Sequence, residues 1–208
     1  MRQRILLITI AVALLHFLIA CQQSGNANIT AQLIDASKNG MSISEYPIPE
    51  QVITNAVASE VKQYIVNNPD ATSYHMLFLL KYIDKDAYSG ISSKTKSQIL
   101  CSALANCKFL NDWGHIATNM TNEADSAREL LSLGKDGLPF LQKLLDDKRP
   151  ALHFGSADAT LSRTSKYRRA DFAYRYINIL LGRESSFPMD LNERDRLIDI
   201  LKNELPPT

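Results

Sequence analysis

The chain has 208 residues, with 23 Lys and Arg against 22 Asp and Glu and a formal net charge of +1. Hydrophobic residues make up 45% of it, enough for one ordinary core and too little for two large ones. This charge balance excludes a general nucleic-acid binder, which needs a basic excess or a long Lys/Arg stripe to neutralise phosphates.

At the amino terminus, Arg2 and Arg4 precede a stretch from Ile5 to Ala20 whose only polar residue is His16. A positive start followed by an apolar run matches a secretory leader, and the run is short for a permanent membrane span. It closes on Leu18-Ile19-Ala20-Cys21, a small residue followed by a nucleophilic sulfur. This segment resembles the lipobox of bacterial lipoproteins. The resemblance implies cleavage before Cys21 and attachment of lipid, palmitate included, at Cys21. Several acyl chains together hold a protein on a bilayer without spanning it. Gln22 stands where that family's inner-membrane proteins carry an Asp. The implied location is therefore the cell envelope, at the outer membrane facing the periplasm rather than the inner membrane. No second apolar stretch of spanning length follows.

Residues 21–46 are rich in Ser, Asn, Gln and Ala with little apolar periodicity, which reads as a flexible tether between lipid and domain. The expected organisation is a signal peptide over 1–20, the tether over 21–46 and a helical domain over 47–208. The triplets at Asn28 and Asn119 match a glycosylation pattern that has no meaning in a bacterial lipoprotein.

From Pro47 onward the apolar spacing is helical and no alternating strand pattern occurs, so the expected fold is all-α. The first helix runs from Pro49 to the Asn68-Pro69 stop, and the second from about Asp70 to Ile83. The third covers about Ser93 to Leu110. Shorter ones follow at Glu123–Leu133 and Leu138–Leu145, and the last two at Arg168–Leu181 and Asn192–Leu205. This gives about seven helices. The stretch from Gly134 through Leu138-Pro139-Phe140-Leu141 to Asp147, with Ile177-Asn178-Ile179-Leu180-Leu181-Gly182 later, resembles a HEAT-type helical repeat. Each antiparallel pair of such a repeat needs a neighbour to cover its second face. A compact multi-helix bundle is the alternative. The segments Phe109–Gly114 and Phe154–Ser156 are also similar to a bacterial family without an assigned activity.

Between Asp147 and Lys166 the helical pattern lapses, and connections of that length in compact domains are either functional or disordered. Phe154, Pro150, Leu152 and Leu161 favour a packed loop. On the helix that follows, Arg168, Asp171, Arg175 and Asn178 share one polar arc, while Arg169 falls in the middle of the apolar side. A guanidinium there needs hydrogen-bond acceptors, and two arginines in a first helical turn oppose the helix dipole. An anion is expected beside them. Either Arg163, Lys166, Arg168 and Arg169 hold a phosphate, a carboxylate or a partner, or Asp146, Asp147 or Asp158 supplies the charge internally.

His153, Ser156 and Asp158 bring the residue types of base, nucleophile and orienting acid into one loop. Residues so close in sequence rarely reach triad geometry, and no Gly-x-Ser-x-Gly elbow precedes Ser156. His75, His115 and His153 lie on separate segments without ligand spacing, so no metal and no cofactor is expected. Cys101 and Cys107 on an unbroken helix would be separated by about 9 Å of rise and turned by about 240°, beyond the reach of a disulfide. They read as buried thiols. Trp113, flanked by Asn111 and Gly114, either closes a small core or stacks on a partner.

These observations lead to an expected function. The chain reads as a membrane-anchored envelope lipoprotein acting as a helical protein-binding module, of the envelope-assembly or immunity type. Its contact region is expected over Pro150–Lys166 and the edge near Arg168. The alternatives are an envelope hydrolase using His153, Ser156 and Asp158, and a receptor for a small anionic ligand at Arg169. The expected partners are a lipid bilayer through Cys21 and another envelope protein, with no nucleic acid.

Overall fold

A computed structural model describes residues 30–116, 124–184 and 187–206. Among these residues the fold is all-α, with eleven α-helices and short 3-10 turns. Helix α1 covers residues 30–38. There follow α2 (Glu50–Asn55), α3 (Ala58–Asn67), α4 (Tyr74–Ile83), α5 (Lys85–Ser89) and α6 (Ser93–Asn106). The second half contains α7 (Asp125–Ser132), α8 (Leu138–Gln142), α9 (Ser156–Thr164), α10 (Arg169–Leu180) and α11 (Leu191–Glu204). No helix among the described residues is long and apolar enough to cross a membrane.

The core forms where sequence hydrophobicity is densest. Every residue of α4 from Tyr74 to Leu80 is buried, as expected of a helix that is apolar on all sides. Helix α6 packs against α4, α7 and α8, with Ile99, Leu100, Ala103 and Leu104 inward. Helix α10 lies against α7, α8 and α11 through Phe172, Ala173, Tyr176 and Ile177. Helix starts are fixed by local chemistry. Asp84 accepts from the Ala87 amide, Ser92 from Thr95 and Asp190 from Glu193, each satisfying an otherwise orphaned donor.

The expected count of about seven helices is too low, for four separate reasons. The helix expected from Pro49 to Asn68 is interrupted at Ala56 and Val57, both extended, so that α2 and α3 each meet α4. Asp84 caps a short extra helix, α5. The stretch expected as irregular between Asp147 and Lys166 contains α9, whose sequence Ser-Ala-Asp-Ala-Thr-Leu-Ser-Arg-Thr has too few apolar residues to show a period. The fourth is α1, which lies within the expected tether.

Of the residues expected as tether, 30–46 pack onto the domain. Leu33 and Ala36 are buried, and the Ser37 hydroxyl lies 2.8 Å from His75 Nδ1. Gly40 adopts φ +68 and its carbonyl accepts from the Lys108 amide at 2.6 Å. A Cβ at Gly40 would lie 2.6 Å from the Asn106 carbonyl oxygen, so this close approach requires glycine. The Ile43 and Ser44 amides then donate to the buried Asp112 carboxylate, which also accepts from Tyr74 Oη at 2.8 Å. The helical body thus begins no later than residue 30. Cys21, Asn28 and Asn119 lie outside the described residues.

Candidate functional site

The region around Arg168 is built on the end of α6. A helix leaves its last carbonyls without intrahelical partners, and here arginines from a distant segment satisfy them. Arg169 donates through Nη1 to the Leu104 carbonyl and through Nη2 to that of Cys107 (2.7 Å), while Arg149 Nη2 reaches the Ala105 carbonyl at 2.8 Å. Cations are favoured at that pole of the helix dipole. Burial, then the neighbouring Arg149, lowers the Arg169 pKa from its ordinary value. Arg169 is 7% exposed, so the expectation that it holds an external anion fails: its acceptors are the backbone of α6.

Arg168 is engaged as well, by acids other than the three expected from the sequence. Its Nη2 meets Asp171 at 2.8 Å and its Nη1 meets Asp195 at 2.7 Å. Asp171 also receives Arg194 Nη1 at 2.9 Å, and its carboxylate accepts from the Arg168 amide, capping α10. The Asp171 side chain is 1% exposed and that of Arg194 3%. Arg194 satisfies its remaining donors on the carbonyls of Ser165, Lys166, Pro188 and Met189. These bonds hold the turn after α9, in which Lys166 takes φ +48, a left-handed conformation uncommon for a non-glycine residue.

This network fixes one wall of a groove beside α9. Pro150–Leu152 runs extended between two chain segments, with the Ala151 amide bonded to the Tyr167 carbonyl and the Leu110 amide to the Leu152 carbonyl, each at 2.8 Å. One depression of about 280 Å³ lies between Pro150, Leu152, Arg163, Lys166, Tyr167 and Leu191. A second, of about 270 Å³, is lined by Phe109, Leu152, His153, Ala159, Ser162 and Arg163. The two share Leu152, Ser162 and Arg163, and no carboxylate lines either. Leu152 is 44% exposed, and both Arg163 and Lys166 are exposed. Of the four basic residues expected to act together, Arg163 and Lys166 line the groove and make no ion pair among the described residues. Arg168 lines it with its guanidinium paired to Asp171 and Asp195, and Arg169 is buried.

No hydrogen bond joins the three candidate catalytic residues to one another among the described residues. His153 is buried with Nε2 at 3.0 Å from the Gly114 carbonyl, and its ring stacks on His115 with centroids 4.5 Å apart. Burial lowers its pKa, and neighbouring His115 adds to that. Asp158 turns to His115 Nε2 and to Asn111 Nδ2, both at 3.2 Å. Ser156 is the exposed first residue of α9. A nucleophile and base need hydrogen-bond reach of one another, and this His153 presents its ring to backbone and aromatic neighbours instead.

Trp113, the other binding candidate, is fully buried between Tyr74 and Tyr176, with ring centroids at 6.5 and 6.2 Å. It closes the core. Cys101 and Cys107 are buried free thiols; burial pushes Cys107 up to about 12 and Cys101 further. Among the described residues no cluster of His, Cys, Asp or Glu is arranged to hold a metal ion. Sequence reasoning missed Phe109 and Leu191 as groove walls. Nothing local marks them, because they reach the groove from segments far apart in the chain.

No family model, curated protein or solved structure matches this chain.

Proposed function

We propose that the protein is a lipid-anchored envelope lipoprotein, held on the bilayer through Cys21, whose helical body docks a second envelope protein in the groove beside α9. One observation carries this reading. An exposed leucine, Leu152, is shared by both depressions of a groove rimmed by Arg163 and Lys166, cations with no ion pair among the described residues, on a frame braced by the buried Asp171–Arg194 pair. An apolar anchor point with a polar rim, held on a rigid support, is the arrangement that protein interfaces use. The leader and Cys21 supply the address, as the lipobox resemblance implies. Two observations favour docking over the alternatives: no hydrogen bond joins His153, Ser156 and Asp158 among the described residues, and Arg169 spends its Nη donors on carbonyls at the end of α6.

Two measurements test the reading. Metabolic labelling with an alkyne fatty acid is expected to tag the full chain and to fail in Cys21→Ala. A photoreactive phenylalanine analogue at Leu152 is expected to give one discrete cross-linked species in intact envelopes, while the same analogue at Val66, exposed on α3, gives none. Equal cross-linking at both positions, or none at Leu152, would refute the docking role.

A further inference from the structure

We infer that the groove recognises an acidic segment of its protein partner that also carries an apolar side chain; this rests on the docking role proposed above. The argument begins from the charges around the groove. Arg168 pairs with Asp171 and Asp195, Lys148 shares Asp195, and Arg149 pairs with Asp147. Arg163 and Lys166 make no ion pair among the described residues; Arg163 Nε bonds only the Ala159 carbonyl within its own helix. Their side chains flank the first depression, whose lining contains no acid. In a chain whose charges nearly balance, this leaves a local positive potential open to solvent, which complements a carboxylate-bearing ligand.

The apolar requirement comes from the floor. Pro150, Leu152, Tyr167 and Leu191 present hydrocarbon below the cations. Phe109 does the same across Leu152, where it forms an edge-to-face pair with Phe154. A bare anion would leave that surface wet, whereas an acidic segment with a leucine-like side chain covers it and meets the rim at once. The two depressions share Leu152, Ser162 and Arg163, which favours a segment lying across both. Lys166 is held at the rim in its left-handed conformation by the bonds from Arg194 to the Ser165 and Lys166 carbonyls. The backbone that carries this cation is thus fixed, so its side chain starts from a set position at the rim.

The test uses the detergent-solubilised full chain and fluorescein-labelled short peptides. One alternates Glu with Leu, a second alternates Lys with Leu, and a third alternates Glu with Ser. The expected result is saturable binding of the Glu–Leu peptide, at least about tenfold tighter than either of the others, and about tenfold weakened in Arg163→Glu/Lys166→Glu. Equal binding of the Lys–Leu peptide would overturn the inference, as would binding that the double variant leaves unchanged. Rim-dependent binding to phosphatidylglycerol vesicles in place of the Glu–Leu peptide would overturn it in favour of a membrane surface. Cross-linking from Leu152 in cells separates this inference from the docking role. If the adduct forms equally in the double variant, docking stands and the acidic segment falls. Loss of the adduct in the double variant, with the partner cross-linked at an acidic stretch, supports both.

Discussion

Asp171→Asn tests the frame beneath the groove. In the native fold this carboxylate accepts from Arg194 Nη1 at 2.9 Å, from Arg168 Nη2 at 2.8 Å and from the Arg168 amide at 2.9 Å, with a side chain only 1% exposed. Neutralising it leaves the 3%-exposed Arg194 charge buried without a counter-ion. Removing one member of such a pair costs about 3–5 kcal/mol, far more than the net worth of the intact pair, because the partner's desolvation is no longer offset. For a domain of this size that corresponds to a fall in Tm of about 6–20 °C, read by circular dichroism at the helix band. Asp195→Asn is the control: its carboxylate is 34% exposed, and loss of a bridge in water costs about 1 kcal/mol or less. A cycle with Arg194→Gln is expected to give a coupling of about 1–3 kcal/mol. If Asp171→Asn melts within about 1 kcal/mol of wild type, or if Asp195→Asn costs as much as Asp171→Asn, the view of Asp171 as the keystone of this wall is wrong.

Three further outcomes follow from the packing. His75 is fully buried, and desolvation lowers its pKa from about 6.5 to about 4. The unfolded chain then binds the proton more readily than the fold. His75 therefore destabilises the fold progressively as pH falls from 6.5 towards 4, by about 3 kcal/mol in all; Phe or Gln at this position should flatten that part of the pH–stability curve, and an unchanged slope would count against it. Gly40→Ala should cost more than about 2 kcal/mol, because a Cβ meets the Asn106 carbonyl in a left-handed backbone, whereas Gly182→Ala, equally left-handed but in open space, should cost only about 1 kcal/mol; equal losses in urea titration would contradict the close approach. A chain starting at Thr30 should melt cooperatively, whereas one starting at Pro47 should lose cooperative melting, since it lacks Leu33, Ser37 and the amides of Ile43 and Ser44; similar melting of the two would return residues 30–46 to a tether role.

How much of this was legible in the sequence depends on the range of the interactions involved. Helix α4 was legible because its own residues are apolar nearly throughout, and α6 and α11 because their apolar residues recur at helical spacing. Arg169 was visible as an anomaly on an apolar face, but not its solution, which lies in carbonyls more than sixty positions earlier in the chain. Helix α9 was hidden because its fit to the domain rests on small residues, the buried Ser162 among them, rather than on a hydrophobic stripe. Residues 30–46 read as tether by composition, although a glycine that allows close approach and a distant Asp112 fix them to the body. The candidate catalytic residues share one loop in the sequence. In the fold His115 comes between two of them, stacking on the His153 ring and meeting Asp158 through Nε2, and nothing in the local sequence marks that arrangement. The groove was legible only through its basic rim and the loop that forms one side, since Phe109 and Leu191 come from elements remote from α9.

The most direct test of the docking role is the accessibility of Leu152→Cys to a membrane-impermeant maleimide, compared between native envelopes and the purified protein. Background should be low, because Cys101 and Cys107 are buried with raised thiol pKa values. The expected result is labelling of Leu152→Cys slowed about tenfold or more in envelopes, while Val66→Cys reacts at the same rate in both settings. Equal rates at Leu152→Cys in envelopes and in purified protein would contradict an occupied groove.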